Sequence, residues 1–144
     1  MKKILVTGGA GYIGSHAVRA LVHAGYEVHV IDNLSKGHRK AVHPDAKFVE
    51  LDLADRSRLE QIFSQTKFDA VMHFAGSIEV ALSMSDPVQF FQNNCVNGLN
   101  LLEAMRKSNV QNIIFSSTAA VYGNPKKLPI KENSQLQPTN FYGE

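Results

Sequence analysis

Cysteine is nearly absent from this sequence, and tryptophan entirely so: one cysteine in 144 residues. A lone thiol, Cys95, excludes an internal disulfide and fits a reducing compartment. It falls among apolar positions of an expected helix, which reads as a buried structural thiol rather than a nucleophile. Charge of one sign is scarce as well. The formal net charge is only +2, too little to supply the concentrated basic face that nucleic acid needs. The one basic cluster, "KGHRK" from Lys36 to Lys40, reads as a solvated loop. No apolar run approaches the ~18 residues of a membrane span, and the short apolar stretch in "MKKILVTGG" does not make a signal peptide. The expectation is one soluble, cytoplasmic domain, without metal, nucleic acid or membrane among its partners.

What is present is an alternation of strand and helix patterns. Ile4-Leu5-Val6 ends in glycines and reads as a strand. Ile13, Ala17, Leu21 and Ala24 recur at helical spacing, with Gly25 in the usual place for a helix stop. "YEVHVID" and "AKFVELDL" read as strands, "DRSRLEQIFSQT" as a helix burying Leu59, Ile62 and Phe63, and "DAVMHFAG" as a fourth strand. Asp86, Pro87 and Gln89 mark a helix start. That helix is expected to run to about Lys107, burying Phe91, Cys95, Leu99, Leu102 and Met105. "VQNIIFSS" is a fifth strand, residues 123–140 read as loop, and a further helix is expected to begin at Tyr142. Strands joined through helices predict a doubly wound parallel α/β sheet of about five strands, one short of a complete dinucleotide fold.

"TGGAGYIG" sets Gly8, Gly11 and Gly14 between the first strand and first helix. Glycines there permit a tight turn and let backbone N–H groups approach a pyrophosphate, while the helix N-terminus faces the negative charge. Asp32 stands at the end of the second strand, where a carboxylate can accept hydrogen bonds from both adenosine ribose hydroxyls. A carboxylate there repels a 2′-phosphate, so NAD is favoured over NADP; Lys36 and Arg39 could oppose that preference.

Together "TGGAGYIGSH", "DNLSKGH", "DLAD", "HFAG", "NNCVNGLNLLEAM", "FSSTAAVYG" and "PTNFYGE" resemble the extended short-chain dehydrogenase/reductases, most closely their branch that epimerises UDP-glucose at C4. The resemblance spans the whole chain. It implies a Rossmann-like NAD-binding domain over residues 1–144, incomplete, with the substrate domain absent. It further implies that Tyr12 and Ile13 lie against the pyrophosphate, Asp32 and Asn33 hold the adenosine ribose, and Asp52 and Leu53 flank the adenine. Phe74, Ala75, Gly76 and Asn93 would complete the cofactor site. Without the resemblance, Asn93 reads as part of a solvated helix face. Thr118 would hydrogen-bond the substrate's reacting oxygen; read by itself, it is a strand end capping backbone groups. Ala119 and Ala120 stand where sugar-nucleotide dehydratases carry an Asp-Glu pair, and neither can carry a proton. Ile78 and Ala81-Leu82-Ser83 depart from the epimerase pattern of a lysine and Gly-Glu-Ser.

The family's catalytic unit is Tyr-x-x-x-Lys on one helix face. Tyr142 matches the tyrosine, with the lysine expected two residues past Glu144. A phenol of pKa ~10 needs a nearby cation to act as a base at neutral pH. The resemblance implies transient oxidation of a UDP-sugar to a 4-keto intermediate, interconverting UDP-glucose and UDP-galactose, in a chain expected to be an N-terminal portion inactive by itself. Alternatives are another UDP-sugar epimerase, acting on UDP-glucuronate or N-acetylated sugars, or a non-catalytic NAD-binding module. A half-sheet would expose an apolar face and a strand edge, so a homodimer or self-association is also expected.

Overall fold

The computed structural model describes residues 1–144. Its centre is β1 (Lys3–Thr7), paired in parallel with β2 (Glu27–Asp32) on one side and β4 (Ala70–His73) on the other. β3 (Lys47–Glu50) adds outside β2 and β5 (Ile113–Phe115) outside β4. The five-stranded order is β3-β2-β1-β4-β5, the Rossmann-like arrangement expected from the alternating pattern. The strand order reverses between β1 and β4, which opens a crevice at the C-terminal ends of the strands.

Strand side chains alternate between two cores, as a period of two requires. Ile4, Val6, Val28 and Val30 pack with Val18 of α1 (Tyr12–His23) on one face. Leu5, Ile31 and Val71 point to the other, meeting Leu59 and Phe63 of α2 (Arg56–Gln65) and Leu101, Ala104 and Met105 of α5 (Asn97–Lys107). α2 and α5 thus lie side by side on the second face. In α1 the inward residues are Gly14 and Val18, with Leu21 and Val22 partly buried. Ile13, expected inside, is 60% exposed, so the buried stripe is turned by about one residue.

The long helix begins where the sequence predicts. Asp86 caps α4 (Pro87–Phe90) by accepting from the Gln89 N–H at 3.1 Å. A π-helical turn, Phe91–Val96, then leads without a break into α5. Its buried face differs from expectation: Phe90, Asn97, Leu101, Ala104 and Met105 point inward. Phe91, Leu99 and Leu102 are exposed, and so is Cys95, which is therefore not a buried structural thiol. The helix carries two apolar stripes. The inner one is interrupted by asparagines because its first half borders a polar cavity, so the outer stripe looks the better core face in sequence.

A short helix, α3 (Val80–Ser85), precedes it and is not assigned by the sequence pattern. Tyr142 lies in a turn rather than at a helix start. There Asn140 receives the Gly143 N–H through both its carbonyl and its side chain, at 3.0 and 2.9 Å. The Gly143 N–H is thus spent on a three-residue turn rather than on an i→i−4 helical bond. No helix is long and apolar enough to cross a membrane.

Candidate functional site

A cavity of about 520 Å³ occupies the crevice at the strand ends. Its floor is the turn between β1 and α1, and four glycines there do different work. Gly8 takes φ +73°, and a Cβ on it would come within 2.5 Å of the Ala75 backbone nitrogen. Gly9 lies against Val30, where a Cβ would approach to 2.6 Å. A Cβ on Gly14 would collide with the Gly8 carbonyl oxygen. Only Gly11 faces open space apart from one 3.3 Å neighbour, and it borders the cavity. Gly11 is also the N-cap of α1 and offers no side-chain cap. The first N–H groups of α1, those of Tyr12 and Ile13, therefore have no intrahelical acceptor. That is a cradle for an anionic group.

The wall beside it is built by acids at strand ends. Asp32 is 8% exposed. Its Oδ2 accepts from the Ala10 N–H and its Oδ1 from the Leu34 N–H, both at 2.9 Å. One carboxylate thus ties the glycine turn to the β2 loop. Asp52 Oδ2 accepts from Asn33 Nδ2 at 2.7 Å, and its Oδ1 accepts from the Ala54 N–H at 2.8 Å. Asn100 Nδ2 donates to the Leu53 carbonyl at 3.0 Å, fastening this loop to α5.

The far wall comes from Phe74, Ala75 and Gly76 after β4 and from the long helix. Asn93 Nδ2 donates to Ser77 Oγ and to Asn94 Oδ1, each at 3.0 Å. The solvated-face reading of Asn93 does not hold, since the residue is half-buried and borders the cavity. Behind the floor, Thr7 Oγ1 and His73 Nδ1 lie 2.6 Å apart in the buried layer. Burial holds the His73 imidazole below its ordinary pKa.

Of the sequence-predicted residues, the cavity gathers Gly8, Gly11, Asp32, Asn33, Asp52, Leu53, Phe74, Ala75, Gly76 and Asn93. Tyr12, Ile13 and Gly14 do not line the cavity: Tyr12 and Ile13 are exposed on the first turn of α1, next to Gly11, and Gly14 is a buried packing residue. Thr118 and Tyr142 do not border the cavity. Thr118 caps the 3₁₀ turn Ala119–Tyr122, its Oγ1 accepting from the Ala120 N–H at 3.1 Å. Gly143 packs on Ala120, where a Cβ would come within 2.6 Å of the carbonyl oxygen. Tyr142 is thereby held in the same corner of the fold as the Thr118 turn.

The Lys36–Lys40 loop is solvent-exposed, as expected, apart from half-buried Gly37, yet its first two residues, Lys36 and Gly37, also border the cavity, which the sequence pattern does not show. Gly37 sits on Ala10, and the His38 N–H donates to the Ala10 carbonyl at 2.9 Å. Lys36 Nζ reaches Glu79 Oε1 at 2.7 Å, joining the β2 loop to the segment before α3. That lysine holds the Glu79 carboxyl below its usual range. Asn97, 6% exposed, was also missed, although it stands four residues from Asn93. The donor set fits a dinucleotide: a bare backbone cradle for phosphates, a carboxylate oriented for hydroxyls, and Leu51 and Leu53 as apolar wall for a flat ring.

Residues 4–144 match the NAD dependent epimerase/dehydratase family, and the chain belongs to it. It is 53% identical over 141 residues to the UDP-glucose 4-epimerase of Lacticaseibacillus casei, a match covering 98% of this chain and 43% of that protein. The crystal structure of the Brucella ovis UDP-glucose 4-epimerase in complex with NAD superposes with a TM-score of 0.94 at 44% identity, covering 99% of this chain and 44% of the other. The UDP-Glc/GlcNAc 4-epimerase of Campylobacter jejuni does so with a TM-score of 0.94 at 46% identity, covering 99% and 45%. The chain thus spans less than half the length of these relatives.

Proposed function

We propose that residues 1–144 form an NAD-binding domain that carries the cofactor half of UDP-glucose 4-epimerisation. The observation that carries this reading is the cavity itself, which joins the glycine turn, Asp32 with Asn33, Asp52 with Leu53, and Asn93 in one continuous space. In this reading the N–H groups of Tyr12 and Ile13 receive the pyrophosphate. Asp32 and Asn33 hold the adenosine ribose, and Asp52 and Leu53 flank the adenine. Gly8, Gly11 and Gly14 keep the turn narrow, while Phe74, Ala75, Gly76 and Asn93 border the rest of the cofactor. When bound, NAD supplies a hydride acceptor that returns the hydride to the same sugar carbon.

By the family pattern Tyr142 is the base that takes the proton from the sugar 4-hydroxyl once a cation stands beside its phenol, and Thr118, in the same corner of the fold, holds the reacting oxygen. The Thr118 hydroxyl accepts from Ala120 and keeps its own proton free to donate. Ala119 and Ala120 leave no acid–base pair for loss of water. A substrate with an N-acetylated sugar is the second reading, favoured by the likeness to the UDP-Glc/GlcNAc enzyme. A cytoplasmic setting and self-association belong to the same proposal. Calorimetric titration of NAD into the chain tests the cofactor role; saturable one-to-one binding is expected, and its absence refutes the reading.

A further inference from the structure

Four ionised side chains border the cavity: Asp32, Asp52, Glu79 and Lys36. Lys36 is the single cation among them, and it stands on the loop that follows Asp32, the side of the cavity assigned to the adenosine ribose. A lysine in that position is a ready partner for a 2′-phosphate. Its ammonium is already engaged, 2.7 Å from Glu79 Oε1. The other strong cations of this loop, Arg39 and Lys40, do not line the cavity, and the Arg39 guanidinium lies 4.5 Å over the Phe48 ring. Glu79 is itself held in place, its Oε2 accepting from the Ile78 N–H at 3.1 Å.

We infer that Glu79 is a specificity-determining residue for the cofactor: by holding Lys36 it withholds the one cation that could reward a 2′-phosphate, and so reinforces the discrimination that Asp32 begins. This deepens the NAD reading and rests on it. Neither residue needs to touch NAD for the effect, because the ion pair acts only on the competing ligand. Glu79 also adds a third negative charge to the cavity that a phosphate dianion would meet.

The test is calorimetric titration of NAD and of NADP into the unmodified chain, Glu79→Gln, Lys36→Gln and the double variant. Both side chains lie at the surface, so the fold is not at stake. Glu79→Gln should tighten NADP relative to NAD roughly fivefold, the size expected of an exposed ion pair, with a smaller effect at high salt. The double variant should lose that gain, because the freed lysine provides it. A ratio that does not move in Glu79→Gln, or a gain that survives removal of Lys36, overturns the inference while leaving NAD binding intact. Failure of NAD to bind the unmodified chain overturns the cofactor reading and this inference with it.

Discussion

Replacing Asp32 should unfold the glycine turn as well as weaken the cofactor, and the two effects can be separated. The carboxylate is buried and accepts two backbone N–H bonds, from Ala10 and Leu34, each 2.9 Å long. Leu34 adopts φ +58°, a conformation costly for a leucine, so something must hold it there. Asp32→Ala removes both acceptors and leaves the buried Ala10 N–H unpaired. Hydrogen bonds to a charged group contribute ~1.5–3 kcal/mol each, and an orphaned buried donor costs ~1–3 kcal/mol. Because Leu34 can relax toward solvent, a loss of about 2–4 kcal/mol is expected for the alanine variant.

Asp32→Asn keeps one oxygen of similar shape and should lose about half as much stability. It nevertheless lacks the second acceptor and the charge that two ribose hydroxyls need. Urea unfolding of both variants, paired with NAD titration, distinguishes the roles. Asn should retain most of the stability and lose most of the NAD affinity, while Ala should lose both. An alanine variant that unfolds at the unmodified midpoint would refute the structural role assigned to the carboxylate. An asparagine variant that binds NAD unchanged would refute the ribose role.

Further outcomes follow from the same geometry. Leu101→Ala, in the core, should cost ~2–5 kcal/mol, whereas Leu99→Ala, 61% exposed, should stay within about 0.5 kcal/mol in a denaturant melt; the reverse order would invert the assigned helix face. Cys95 should react fully with a thiol reagent in the native chain without denaturant, and protection would return it to the core. Glu27 has its carboxyl lowered from 4.5 to about 2, first by the hydrogen bond from Lys47, then by His29. A depressed carboxylate stabilises the fold above its unfolded pKa, and that contribution disappears as pH falls through the folded value. Glu27→Gln should therefore be less stable than the unmodified chain at pH 6 and converge with it between pH ~4.5 and ~2; a gap that persists at pH 2 would contradict this.

Much of the fold was legible because its signals are local or periodic. Parallel strands covered on both faces read as apolar runs, and Ile4-Leu5-Val6 and Val28-His29-Val30-Ile31 divide between the two cores by simple alternation. The glycine turn and Asp32 were legible for a different reason: the chemistry of a phosphate cradle demands those residue types at a strand end. The position of Lys36 and Gly37 was not legible. It depends on Ala10, far off in the chain, meeting Gly37 and His38, and nothing in "KGHRK" announces that contact.

The long helix failed instructively. Periodicity selects the more continuous apolar stripe, here Phe91, Cys95, Leu99 and Leu102, but continuity measures core packing only where a helix packs on core along its whole length. Here the inner face serves two neighbours. Leu101, Ala104 and Met105 meet the sheet and α2, while Asn93 and Asn97, one to two turns earlier, border the cavity. A polar ligand site turns the inward stripe polar at that height, and Asn97 is more than nine-tenths buried without being core. The asparagines that spoiled the apolar pattern were therefore the signal. Polar residues recurring at helical spacing, continued down the helix by large apolar ones in the same phase, mark a helix that packs with one half and binds with the other. By that criterion Asn97 belongs with Asn93 in the site, and Asn97→Leu should lower NAD affinity without lowering the urea midpoint; a midpoint that falls along with affinity would assign Asn97 to packing instead.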